Sequence, residues 1–358
     1  MSEQANKYFQ RKNFTFNVYL KDVDADKLLF QTQGKTWETL VLPVTDGVSE
    51  MRLEVFTFGQ ADSCYATIDG TWTTIDWANR NNKDIVSKVA YNKKYAINLG
   101  KKEEYIHEYD FIRSLHEHMK NGDMAAKLLK ITGDLEYTLR NNEPQLKLKP
   151  RFVGLAPEGD VPYMKALVST LFTKDAVVQD VANKTLTLNG FAQEYVKLEG
   201  ESGKSPRMFQ QEFKIDYAKN PKTEVALENF YKKVLSVDND EYKAIYFECD
   251  LFKAADTVVV EELTEEQKLY ISLGLLNEEQ AIIDNTVKDK KETFEFRVVA
   301  PNIKKEPYTK TTFIPDEQDK FVFGFAPKVT QMFDTAPDTS SLFETSAVSD
   351  SDLDSFFS

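Results

Sequence analysis

LKITGDLEYTLR (129–140) and QLKLKPRFVGLA (145–156), joined by Asn141-Asn142-Glu143-Pro144, read as a β-hairpin, and that hairpin decides the fold. Both runs are strand-length, and the join between them is turn chemistry. Side chains on a strand alternate with period two, so Lys147, Lys149 and Arg151 are expected on one face of the second strand.

Working outward toward the N-terminus, NFTFNVYL (13–20), KLLFQTQ (27–33), WETLVLPV (37–44) and MRLEVFTFG (51–59) are short and rich in β-branched and aromatic residues. TIDGTWTTIDW (67–77) continues the pattern across a turn at Asp69-Gly70. YIHEYDFIRSLHEHMKNGDMAAKLL (105–129) changes period. Ile106, Tyr109, Ile112, Leu115 and Met119 recur at three and four, which predicts an amphipathic helix broken at Asn121-Gly122. Several strands, one helix and a closing hairpin suit a small Greek-key barrel of the OB type.

APEGD (156–160) reads as a linker, after which the plan repeats loosely. Strands are expected at 166–172, 184–198, 207–217, 242–252, 256–263 and 294–303, with helices at 225–235 and 264–276. Thr264 and Gln267 have capping-box spacing at the start of the second helix. The fold class is therefore mainly β with a few helices (α+β). Its expected layout is a first OB-like domain with an inserted helix over 1–157 and a second OB-like domain over 161–303. An extended arm over 304–328 and a disordered acidic tail over 329–358 complete it. The two halves show no residue-level self-similarity, so tandem barrels are expected at the level of fold only.

Composition narrows the function. The chain has 358 residues, enough for two domains, and 25 Phe, 16 Tyr and 3 Trp. It has no apolar run of eighteen residues, and MSEQANKYFQRKNF lacks the apolar core of a secretory signal, so neither a membrane span nor export is expected. Cys64 and Cys249 make no disulfide framework, which fits a reducing cytoplasm. His107, His116 and His118 have no zinc-type spacing, so no metal and no cofactor is expected. GESGKSPR (200–207) contains Gly-Lys-Ser, but a phosphate-binding loop would need glycine at Leu198, and Pro206 follows instead of a helix start. No nucleophile elbow or metalloprotease motif occurs, and nothing argues for an enzyme.

Basic residues do interleave with aromatics. Tyr91, Lys93, Lys94, Tyr95, Lys101 and Lys102 form one cluster; Lys147, Lys149, Arg151 and Phe152 form another. Lys204, Arg207, Phe209 and Lys214 lie in the second half. A groove for single strands wants this mixture, cations for phosphates and ring faces for bases. Trp37, Trp72 and Trp77 read as core or rim.

The net charge of −13 runs against a nucleic-acid binder, but its distribution matters more than its sum. After Lys328 there is no basic residue, and Asp334, Asp338, Glu344, Asp350, Asp352 and Asp354 follow. Removing those six negatives leaves −7 for the rest. The segment has too little apolar content to form a core, yet it ends on Leu353, Asp354, Ser355, Phe356, Phe357 and Ser358. Carboxylates that steer and aromatics that fill a pocket make a docking peptide.

SDSDLDSFF resembles the acidic C-terminal tip of single-stranded-DNA-binding proteins, bacterial and bacteriophage, though Ser358 follows the Phe pair and no Pro precedes it. With the clusters, the resemblance is to a bacteriophage-type single-stranded-DNA-binding protein. It implies a non-catalytic protein in the host cytoplasm that coats and protects exposed strands in replication, recombination and repair. It further implies that Asp350, Asp352, Leu353, Asp354, Phe356 and Phe357 recruit replication and recombination proteins. The alternative is a β-rich structural, virion-type protein with a solubilising acidic tail.

Overall fold

The computed structural model describes residues 12–31, 37–59, 61–90, 93–140, 143–197, 202–203, 205–218, 222, 224–237, 242–253, 257–260, 265–273, 286–289, 294–301, 309–313 and 323–325. In the first half the strands are β1 (Lys12–Leu20), β2 (Leu29–Gln31), β3 (Trp37–Thr45), β4 (Glu50–Phe58), β5 (Ser63–Ile68) and β6 (Thr71–Asp76). Helix α1 (Lys83–Lys88), strands β7 (Tyr95–Asn98) and β8 (Lys102–Tyr105), helix α2 (Glu108–Lys120), and the expected hairpin β9 (Leu129–Arg140) and β10 (Glu143–Leu155) follow. The second half has β11 (Tyr163–Phe172), β12 (Val177–Asp180), β13 (Thr185–Val196), β14 (Ser205–Asp216), helix α3 (Glu224–Val234) and β15 (Tyr242–Lys253). Then come β16 (Thr257–Val260), α4 (Glu265–Ser272), β17 (Thr286–Asp289), β18 (Phe294–Pro301), β19 (Thr309–Phe313) and β20 (Phe323–Phe325).

In the second half, β11, β13, β14, β18 and β15 pair in that order, and Leu171 of β11 lies opposite Phe191 of β13, so five strands form a ring. The β14–β18 pairing is parallel and the β15–β18 and β11–β15 pairings antiparallel. The first half follows the same plan: β4 pairs β3, the end of β1 pairs β3, β1 pairs β9, and β9 pairs β10. Lys147 Nζ of β10 meets Glu54 Oε2 of β4 at 2.7 Å, which brings the last strand beside the third. In both halves a helix lies between the third and fourth strands of the plan.

Strand alternation explains the core. In β3, Glu38, Leu40, Leu42 and Val44 point inward; in β4, Met51, Leu53, Val55 and Thr57 do. The apolar members of both sets share a core with Phe14, Phe16 and Val18 of β1, and Phe111, Ile112 and Leu115 of α2. Full burial of each such large apolar side chain contributes about 1.5–3 kcal/mol. Helix α2 is capped by His107, whose Nδ1 accepts from the Tyr109 amide at 3.2 Å. It stops at Lys120, where Asn121 and Gly122 (φ +74) turn the chain. The break at Asn121-Gly122 is as expected, but the helix spans 108–120 and not 105–129.

The APEGD segment is a tight turn, with Gly159 at φ +85 and Asp160 Oδ2 accepting from Asn17 Nδ2 at 3.0 Å. Strand β1 pairs β9 on one side and β11 on the other, so the sheet runs on across the expected boundary at 157–161. By compactness the described residues up to 253, together with 294–301, 309–313 and 323–325, belong to one unit. Strand β19 pairs β15, and β20 pairs β14 in parallel; these are the described parts of the expected arm. A second unit holds β16, α4 and β17, with β16 antiparallel to β17 from Thr257↔Asp289 to Val260↔Thr286. The tail over 329–358 lies outside the described residues.

Candidate nucleic-acid interface

The basic–aromatic clusters fold differently from a row of free cations. Lys94 is buried: its Nζ donates to Glu104 Oε2 at 3.1 Å and to the Val86 carbonyl at 3.3 Å. Lys102 Nζ reaches the other Glu104 oxygen at 2.7 Å. Burial raises the Glu104 carboxyl, but the hydrogen bonds from Lys102 and Lys94 outweigh it and hold it low. Lys93 and Lys101 are exposed, and Tyr91 lies outside the described residues. Tyr95 is 2% exposed, so its ring has no face for a base, correcting its expected role. Its hydroxyl donates to Glu108 Oε1 at 2.6 Å, and burial followed by the Glu108 charge pushes its pKa up.

Lys147, Lys149 and Arg151 each meet carboxylates. Lys147 pairs Glu54, and Lys149 Nζ lies 3.2 Å from Glu108 Oε1 and 3.8 Å from Glu136 Oε1. Arg151 Nε bonds Asp134 Oδ2, and its guanidinium lies 5.2 Å from the Tyr95 ring centre. The strand bulges at Arg151, since Pro150 pairs Gly133 while Phe152 pairs Thr132. The expected cationic stripe is therefore neutralised by acids from β4, β9 and α2. Phe152 is half-buried beside Gly154, where a Cβ would come within 2.6 Å of its ring.

In the second half, Phe209 is fully buried and stacks on Tyr137 at 4.8 Å and 8°, which removes it as a base platform. Lys214 Nζ bonds Glu295 Oε2 at 3.1 Å. The backbone of Arg207 pairs Glu194 in the strand ladder, and Lys204 lies outside the described residues. So do Asp350, Asp352, Leu353, Asp354, Phe356 and Phe357. Ser205 opens a strand, not the helix a phosphate-binding loop needs. Among the described residues no three His, Cys, Asp or Glu gather as metal ligands, and no helix is long and apolar enough to cross a membrane.

The surface that does gather rings is the outer face of β2, β3 and β4. Phe30 pairs Thr39, which pairs Phe56, and the neighbouring row pairs Trp37 with Phe58. Phe56 and Phe58 meet edge to face at 5.0 Å, with Trp37 at 6.2 Å from Phe56. Phe58 is 72% exposed, Phe30 50% and Phe56 41%. Inward-facing residues of these strands already fill the core, so these rings are surplus to it. A groove of about 350 Å³ adjoins the patch, lined by Phe30, Val41 and Pro43, the cations Lys21, Arg52 and Lys253, and the acids Glu50 and Glu54. Lys21 pairs Glu50 at 2.6 Å. Alternation within WETLVLPV and MRLEVFTFG carried the signal for this face: one set of alternate residues is apolar apart from Glu38 and Thr57, and the other contains Trp37, Phe56 and Phe58.

Of the tryptophans, Trp77 is in the core and Trp37 half-buried, as expected. Trp72 is 70% exposed and belongs to neither core nor rim, because the β5–β6 hairpin turns its face outward.

No family model matches the chain, and no curated protein matches it. A solved structure of a deletion mutant of the single-stranded DNA binding protein from Thermus aquaticus is similar over 86% of this chain and 97% of its own. Identity is 9% and the TM-score 0.34, a likeness too weak to bear on what this chain does.

Proposed function

We propose that the chain is a non-catalytic single-stranded-DNA-binding protein of two OB-like units, and that the outer face of β3 and β4 is its stacking platform. The strand plan of each half, five strands with a helix before the fourth, fits the OB fold, whose second and third strands carry oligonucleotides. In the first half those strands are β3 and β4. The observation that carries the reading is the aromatic group of exposed Phe30, Phe56 and Phe58 with half-buried Trp37, beside a groove with Lys21, Arg52 and Lys253. Stacked rings hold bases of any sequence at about 1–3 kcal/mol per base. The groove also holds two acids, so stacking contributes more than phosphate neutralisation here.

The acidic aromatic tip supports the wider role, coating and protecting strands in phage-type replication and recombination and recruiting partners through Phe356 and Phe357. The test is a titration of oligo-dT into the full chain and into Phe56→Ala/Phe58→Ala, followed by tryptophan quenching. Both rings are exposed, so the variant keeps its core. Affinity should fall at least tenfold; an unchanged affinity sinks the assignment of this face.

A further inference from the structure

We propose that the outer face of the β5–β6 hairpin docks an arginine-bearing segment of a partner protein, with a guanidinium stacked on Trp72 and paired with the hairpin's carboxylates. The hairpin turns tightly at Asp69 (φ 50) and Gly70 (φ 82), so Thr67 faces Trp72 and Tyr65 faces Thr74. Tyr65 and Trp72 are diagonal neighbours on one face, with rings parallel to 9° and centres 5.8 Å apart. They are 56% and 70% exposed, so the stacked pair still presents ring surface to solvent.

The opposite face holds the hairpin in place. Cys64, Ala66 and Ile75 pack with Trp77, Val86, Val89 and Ile106 in a core cluster of their own. Helix α1, with exposed Lys83 and Lys88, thus lies under the buried face and not beside the rings. Val89 bridges to Ile68 at the edge of β5.

Charge chooses the occupant. Residues 61–79 contain Asp62, Asp69 and Asp76 and no lysine or arginine, and all three acids are exposed. A phosphate backbone laid over these rings would meet carboxylates, whereas a cationic side chain meets both a ring face and a counter-charge. Arginine suits better than lysine because its planar group stacks and donates at once. The same protein shows the chemistry at the hairpin's base. The Arg80 guanidinium lies 4.1 Å from the Trp77 ring centre and holds Asp110 through two bonds of 2.7 and 2.8 Å. Strand alternation puts Asp76 on the same outer face as Trp72, Asp69 sits at the turn that closes the hairpin, and the arginine would come from the partner.

The experiment is calorimetric titration of the full chain with an acetylated (Arg-Gly)4 peptide, with (Lys-Gly)4 and (Glu-Gly)4 as controls. The arginine peptide should bind at least threefold tighter than the lysine one, and the glutamate peptide should not bind. Trp72→Ala should weaken it at least tenfold, and Asp69→Asn/Asp76→Asn should weaken it most at low salt. Phe56→Ala/Phe58→Ala should leave it unchanged, which separates this surface from the DNA platform. No binding of the arginine peptide, equal binding by Trp72→Ala, or a loss of oligo-dT affinity in Trp72→Ala with peptide binding intact would each overturn the proposal.

Discussion

Leu171 of β11 lies opposite Phe191 of β13, and this pairing closes β11, β13, β14, β18 and β15 into a ring. The closure is tight. Thr170, 1% exposed, donates from Oγ1 to the Phe191 carbonyl at 3.2 Å. Next to it is Gly190, where a Cβ would come within 2.1 Å of that same Oγ1.

Gly190→Ala should therefore destabilise the protein by about 1–3 kcal/mol, the ordinary range for overpacking a filled site. Thermal unfolding reads it as a lower midpoint. Combining it with Thr170→Ala removes the colliding hydroxyl and should recover part of the loss. Simple additivity of the two single changes would show that the glycine is not there to admit Thr170.

The Glu108 carboxyl is raised by burial, but Lys149 and the Tyr95 hydroxyl pull it lower still, and the net shift is downward. A carboxyl whose folded pKa lies below its unfolded value, about 4.3 for glutamate, adds stability above that value. The contribution is lost as pH falls through the folded pKa. Glu108→Gln should thus flatten the acid side of the stability profile and leave its shape near neutrality unaltered. An acid limb as steep as in the wild type would assign the lability to other carboxylates.

Lys147, Lys149 and Arg151 satisfy Glu54, Glu108, Glu136 and Asp134, so removing all three as alanines leaves those acids uncompensated. Stability should fall more than oligo-dT affinity does. If these cations instead met phosphates, each would contribute about 0.7 to the salt slope on single strands, and the slope would drop by about 2. Measuring both quantities on the one variant decides between the two.

How much of this was legible follows from what each residue reports. Strands β3, β4, β9 and β10 and the Asp69-Gly70 turn were visible because alternation and turn chemistry are local. Strands β7 and β8 were hidden: Tyr95, Ala96 and Ile97 are buried together, with a charged stretch on either side, so no alternation marks them. Helix α1 was hidden by its length of 6 residues. Continuity of the sheet through β1 could not be read, because it depends on β1 having β9 on one edge and β11 on the other. Among site residues, lysine and aromatic letters mark potential only. That Tyr95 and Phe209 face the core depends on partners far along the chain, among them Phe111 for Tyr95 and Tyr137 for Phe209. The exposed rings of β3 and β4 do not mark a face in the sequence by themselves, since their aliphatic neighbours account for the strand pattern equally well.

Phe356 and Phe357 should anchor a partner protein while Asp350, Asp352 and Asp354 steer it. Replacing both Phe by Ala should abolish capture of a purified replication or recombination partner and spare oligo-dT binding. Equal capture by the variant would end the docking-peptide reading.

The most direct test of the central claim is a fluorescence titration of the full chain with oligo-dT and with a duplex of equal length, each at low and at high salt. Stacking on Phe30, Trp37, Phe56 and Phe58 predicts saturable quenching by oligo-dT, sequence-tolerant and only moderately weakened by salt, with duplex binding at least tenfold weaker. Duplex binding as tight as oligo-dT, or no quenching by either, would contradict it.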